Sequence, residues 1–127
     1  MIDLTGVELF SELSAEDLEE LAGWFDVRTV GPGVRIVDEG ASGYSFYVLL
    51  EGAAEISAEG VAIATCRPGD FFGEIAILGA SRRTATVTTT VPSRVLVMFG
   101  TDFRRLQQLQ PAVARRLEDA MRARLPT

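Results

Sequence analysis

The sequence predicts a mainly β fold with flanking helices, its strands closing into a small sandwich or barrel. Three observations predict it. Apolar residues follow a helical period up to about Phe25, a β-type pattern from Val27 to about Phe99, and a helical period again after Gly100. The β-type stretch is cut into short runs by glycine-rich punctuation. Several short, regularly spaced strands are the pattern of a small sandwich or barrel.

The first helix starts in LSAEDLEELAGWF, residues 13–25. Ser14 followed by Asp17 has the spacing of a capping box, and Leu13 with Leu18 that of a hydrophobic staple. Leu18, Leu21, Ala22 and Phe25 fall on one face, and Gly23 weakens the last turn. Trp24 and Phe25 are expected in the core.

The strand candidates are VRTV, VRIV, YSFYVLLEG, AAEIS, VAIATC, TATVTTTV and RVLVMF. Between them stand GPG, EGASG, AEG, RPGD and VPS. Gly33, Gly40, Gly52, Gly60 and Gly69 recur at these turns, where a positive φ is often required. In TATVTTTV, Thr84, Thr86, Thr88 and Thr90 alternate with Ala85, Val87, Thr89 and Val91, which predicts a strand with the second set facing inward.

After Gly100, Phe103, Leu106 and Leu109 share a helix face. Gln110 precedes Pro111, which suits the first turn of a new helix. Val113, Leu117, Ala120, Met121 and Leu125 form its apolar stripe, with Arg115, Arg116, Arg122 and Arg124 around it. No repeat or linker interrupts the chain, so residues 1–127 are expected to form one domain.

Composition narrows the function. A hydrophobic fraction of 47% supports a proper core and argues against disorder. A net charge of −6 disfavours direct nucleic-acid binding, which draws its affinity from lysine and arginine. No run approaches the roughly 18 apolar residues of a membrane span, and no signal pattern opens the chain, so a soluble, cytoplasmic protein without membrane insertion is expected. There is no histidine, which removes Ser/His and Cys/His catalysis and the usual metal sites of β-barrels. The single cysteine, Cys66, reads as a small buried hydrophobe. Neither an enzyme nor a metal or cofactor is expected.

One stretch carries chemistry. In PGDFFGEIAILG, Gly73 lets a backbone approach a ligand, and Glu74 to Leu78 suit a short helical turn whose free N–H groups favour an anion. Arg83 follows at the start of the Thr-rich strand, and its guanidinium can grip a phosphate with a two-pronged fork. Glu74 would repel that phosphate, so it makes sense as an acceptor for hydroxyls such as those of a ribose. A phosphate beside a ribose hydroxyl, with no metal or P-loop, points to a cyclic nucleotide. A plain Glu74–Arg83 ion pair across a turn is the structural alternative.

GEIAILGASRRTATV, residues 73–87, resembles the phosphate-binding cassette of cyclic-nucleotide-binding domains, found in kinase regulatory subunits, gated channels and catabolite-activator-type sensors. GASGYSFYVLLEGAAEI is similar to the family's glycine-aromatic strand signature, PGDFFGE resembles the approach to the cassette, and the final helices resemble its hinge and lid. The resemblance implies a β-roll of jelly-roll type. It implies that Gly73 and Glu74 bind the ribose 2′-hydroxyl, and that Arg83 with the backbone N–H groups of Ala76, Thr84 and Ala85 holds the cyclic phosphate. Ile75 belongs to the same ligand-binding set. A threonine at position 84 is associated in the family with tolerance of cGMP; strand formation alone also accounts for it. The chain departs from the pattern at Arg82, where proline is frequent, and Arg82 reads as a solvated loop charge.

The expected function is a regulatory sensor that binds a 3′,5′-cyclic nucleotide, cAMP rather than cGMP, and repositions its C-terminal helices. Those helices are the expected surface for a homodimer or an effector partner. Met121 and Leu125 read as helix packing before base contacts. Two alternatives stay open: a scaffold that keeps the fold without binding, and the sensor half of a transcription regulator, since no helix-turn-helix, kinase or channel segment lies within these residues.

Overall fold

The structure, a computed structural model, describes residues 4–37, 45–72 and 85–123. A single 3-10 turn at Glu8–Phe10 precedes α1, Ala15–Ala22. Eight strands follow: β1 Asp26–Val30, β2 Arg35–Val37, β3 Ser45–Glu51, β4 Ala54–Ala58, β5 Val61–Cys66, β6 Phe71–Phe72, β7 Thr86–Thr89 and β8 Ser93–Phe99. Two helices close the described chain, α2 Gly100–Leu109 and α3 Pro111–Ala123. The expected β-roll with helices on either side is what forms.

The strands make two antiparallel sheets of four, ordered β1-β8-β3-β6 and β2-β7-β4-β5. The first sheet is the middle layer. Tyr47, Leu49, Phe72, Val95 and Val97 turn from it toward Ala54, Cys66 and Val87 of the second sheet. Phe46, Val48, Leu96 and Met98 turn the other way, onto a core built with Phe10, Leu21, Phe25, Leu106 and Leu117 of the helical segments. Successive strand side chains point to opposite faces. Residues 46–50 of β3 and 95–99 of β8 are therefore almost continuously apolar, because both faces of these stretches are covered.

Local chemistry sets the element ends. The Asp17 backbone N–H donates to Ser14 Oγ at 3.1 Å, so the predicted cap forms, and α1 stops at Gly23. Gly33, Gly52, Gly60 and Gly69 all have positive φ, as the turn pattern predicts, while Gly40 lies outside the described residues. The Arg67–Asp70 turn is fixed on both sides. The Asp70 carboxylate accepts from the Arg67 N–H at 2.8 Å, and the Gly69 N–H donates to the Leu49 carbonyl at 2.7 Å.

Three expectations need correction. The Thr-rich strand is shorter than predicted: β7 ends at Thr89, and Val91 is exposed. Thr89 is fully buried, yet its hydroxyl does not face an apolar layer. It donates to the Gly31 carbonyl at 2.7 Å and accepts from the Val34 N–H at 2.8 Å, pinning the GPG turn to β7. Leu109 shares a helical period with Phe103 and Leu106 but is exposed, because it is the last residue of α2 and the chain turns at Gln110. β6, only two residues long, was hidden in the approach to the Gly-Glu motif.

Candidate functional site

The described residues on either side of the stretch that carries the candidate chemistry belong to different sheets. At its start, Phe72 in β6 pairs with Tyr47 at the edge of the first sheet. The two rings stack with centroids 5.3 Å apart and planes within 14°. At its end, Thr86 opens β7, which runs between β2 and β4 inside the second sheet. Gly73, Glu74, Ile75, Ala76, Arg82, Arg83 and Thr84 lie outside the described residues, as does the expected short helical turn. Ala85, the one predicted site residue within them, is half-buried immediately before β7.

The mouth of the segment divides between two cores. Phe72 faces the layer between the sheets. Phe71 faces the helices and meets Phe46 edge-on, centroids 5.9 Å apart. Phe46 contacts Phe25 at 5.8 Å, and Phe25 contacts Phe10 at 6.0 Å. A continuous row of rings thus joins residue 71 to the 3-10 turn. Sequence reading did not find this row, although the aromatic spacing in YSFY and DFF is its signal.

Cys66 lines the layer between the sheets and is 1% exposed. Burial, and secondarily the Asp70 carboxylate, push its thiol up to about 12. It stays neutral and unreactive at physiological pH, consistent with a packing role. Among the described residues, no group of His, Cys, Asp and Glu is placed to hold a metal ion.

The C-terminal stripe is packed against the chain itself. Val113, Leu117 and Met121 are buried in the helical core, while Leu125 lies outside the described residues. Met121 therefore packs as expected. α1 and α3 are joined by a two-pronged ion pair between Asp17 and Arg116. Arg116 first of all holds the Asp17 carboxyl below its usual range, against the opposing effect of burial. Arg105 of α2 also lies over the Trp24 ring, 6.0 Å from its centroid. Trp24 is only half-buried, at the margin of the core rather than within it.

Known proteins share this arrangement. The family model for the cyclic nucleotide-binding domain matches residues 27–109, from β1 to the end of α2. A cAMP-dependent protein kinase regulatory subunit of Eremothecium gossypii is 35% identical over 122 residues, 94% of this chain and 26% of that one. The N-terminal domain of a transcriptional regulator from Streptomyces coelicolor A3(2) superposes with a TM-score of 0.80 at 26% identity, covering 91% of this chain and 86% of that one. A cAMP-bound PfPKA-R structure does so with a TM-score of 0.73 at 26% identity, covering 91% and 42%. The chain spans less than a third of the length of the kinase subunits it matches. With its two-sheet roll, its flanking helices and a match running through both, the chain belongs to the cyclic nucleotide-binding domain family.

Proposed function

We propose that residues 1–127 form one regulatory sensor module that binds a 3′,5′-cyclic nucleotide, cAMP in preference to cGMP, without catalysing a reaction. In this reading Gly73 and Glu74 take the ribose 2′-hydroxyl. Arg83 and the backbone N–H groups of Ala76, Thr84 and Ala85 hold the phosphate, with Ile75 in the same set, and no metal or cofactor takes part. The observation that carries the reading is the anchoring of this motif: its flanks belong to different sheets, Phe72 at one edge and Thr86 inside the other. The kinase regulatory relative and the cAMP-bound neighbour favour cAMP.

The response follows from the same anchoring. A ligand shifts an equilibrium only by binding one arrangement better than another. Phe71 stands three residues before Glu74 and touches the aromatic row that enters the helical core. A ligand that resets the motif thereby acts on the packing of α2 and α3, whose outer side, with Leu109 exposed, is the surface for an effector partner. The module works in the cytoplasm, with no direct contact to nucleic acid and no membrane insertion. No helix of the described residues is long and apolar enough to cross a membrane.

Calorimetric titration with cAMP and with cGMP tests the reading. Saturable binding with a dissociation constant around micromolar, tighter for cAMP, is expected. No heat with either nucleotide would leave the fold as a scaffold. The likeness to the N-terminal domain of a transcriptional regulator favours a second reading, the sensor half of such a regulator, which a DNA-binding segment in a longer gene product would support.

A further inference from the structure

β6 has only two paired positions to hold its register: Tyr47 pairs with Phe72 and Val48 with Phe71. Phe72 is followed directly in the chain by Gly73, the first residue of the proposed ribose contact. A slip of one residue would exchange the faces of Phe71 and Phe72. It would also move the point where the chain leaves the sheet by about 3.3 Å. The contacts of the two rings decide which face each takes. The turn before them decides where the strand begins.

That turn is RPGD, residues 67–70. Pro68 and Gly69, the latter at φ +95, occupy the two central positions of a type II turn. Asp70 closes it with three groups. Its N–H donates to the Arg67 carbonyl at 2.9 Å, and its carboxylate accepts from the Arg67 N–H at 2.8 Å. Its carbonyl accepts from the Leu49 N–H at 2.9 Å. This last bond carries the β3–β6 ladder one position beyond Val48 and Phe71. The return bond to the Leu49 carbonyl comes from Gly69 at 2.7 Å, because the Asp70 N–H is engaged inside the turn. Asp70 therefore belongs to the turn and to the ladder at once, and its partner Leu49 is fully buried. Of the three bonds only the carboxylate's depends on residue type. Arg67 and Asp70 are both exposed, so water can take the place of that bond at little cost to the fold.

We infer that Asp70 is a positioning residue for the proposed nucleotide site: its carboxylate locks the turn that sets the start of β6, and through β6 it presents Gly73 and Glu74 to the ribose. The inference rests on the assignment of those two residues to the 2′-hydroxyl. Charge alone gives the opposite expectation. A carboxylate in the neighbourhood of a phosphate weakens binding, so loss of the charge by itself would tighten it.

Calorimetry with cAMP and with 2′-deoxy-cAMP on the 127-residue chain separates these effects. Asp70→Ala removes both the charge and the acceptor. Asp70→Asn removes the charge and keeps an oxygen that accepts from the Arg67 N–H. Asp70→Ala should raise the dissociation constant for cAMP about threefold to tenfold, the scale of one hydrogen bond. Asp70→Asn should stay within about twofold of wild type. For 2′-deoxy-cAMP, Asp70→Ala should also stay within about twofold of wild type, because the contact it disturbs is already missing. Both variants should keep the wild-type circular dichroism spectrum. An Asp70→Ala chain that binds cAMP as wild type does, or that fails to fold, would overturn the inference. So would an Asp70→Asn chain that loses as much as Asp70→Ala, or equal losses for the two nucleotides. A wild-type chain that binds neither nucleotide would overturn the proposed function itself, and the inference with it.

Discussion

Asp17 in the first turn of α1 accepts two hydrogen bonds from Arg116 of α3, from Nε at 2.5 Å and from Nη2 at 2.7 Å. The pair closes a span of 99 residues, and Asp17 is the one buried acid among the described residues. Its carboxyl titrates below the usual carboxylate value, chiefly because of the Arg116 hydrogen bonds. A carboxylate whose folded pKa is depressed adds stability above its unfolded pKa of about 3.9, and that stability is lost as pH falls through the folded value. Asp17→Asn should therefore lower the melting temperature at pH 7, and the gap to wild type should close in acid below about pH 4. Hydrogen exchange should also quicken across Val113–Met121 in Arg116→Ala. A gap that persists unchanged in acid would mean that the ion pair is not what holds α3.

Gly52 sits at φ +100, where a Cβ would stand 2.2 Å from Ser93 Oγ and 2.8 Å from the Pro92 carbonyl. Backbone strain and overpacking add at this position, so Gly52→Ala should cost about 2–4 kcal/mol in urea unfolding. Ser93→Gly in the same chain should recover only part, because it removes the side-chain clash and leaves the strained φ. Full recovery would assign the whole effect to Ser93.

How far the sequence told this story depends on the range of each interaction. Period and punctuation are local, so both sheets' main strands, the Ser14 cap and the break at Pro111 were legible. β6 was not, because two residues carry no period. Thr89 misled the reading: alternation placed it correctly on the inner face, but only the fold shows that its hydroxyl serves the GPG turn. The Asp17–Arg116 pair joins two helices whose packing is set by tertiary structure, and nothing in the spacing of 99 residues announces it. For the candidate site the reverse holds. Gly73, Glu74 and Arg83 stood out because a glycine, a carboxylate and an arginine around one short segment imply a ligand's chemistry, which is written in residue types. Their geometry lies outside the described residues, and only Ala85 is placed.

In the proposed nucleotide site, Arg83→Ala should raise the dissociation constant about 30-fold or more, the cost of leaving a buried phosphate without its partner. Arg82→Ala should change little. Glu74→Ala should cost about 1.5–3 kcal/mol of binding. A 2′-deoxy nucleotide should lose similar affinity on wild type and much less on Glu74→Ala, since the hydroxyl's acceptor is already gone. Thr84→Ala should weaken cGMP more than cAMP, by about 0.5–1.5 kcal/mol. Additive losses for the deoxy ligand and Glu74→Ala would break the ribose assignment.

Cys66 offers a readout of the layer between the sheets. A thiol pushed up to about 12 by burial carries a thiolate fraction of only about 10⁻⁴ at pH 8. Alkylation by iodoacetamide should therefore be slow in the folded chain and rapid in urea. Rapid modification of folded protein would place Cys66 outside the core.

The last helix separates two roles that a lid can combine. Leu117 and Met121 are fully buried against Leu9, Phe10, Leu21 and Leu106. Their stripe thus stabilises the chain with no nucleotide present. Met121→Ala should cost about 2–5 kcal/mol in unfolding of the ligand-free protein, by lost burial and an unfilled cavity. A helix acting only as a lid would show the opposite pattern, with unfolding unchanged and nucleotide release faster. Urea titration without nucleotide, followed by release kinetics from the cAMP complex, distinguishes them. A loss of stability with normal release makes α3 a fixed wall of the helical core. A loss in both makes its seat on Leu9 and Phe10 part of the response, because the same apolar contacts would then have to loosen and re-form as the ligand leaves and returns.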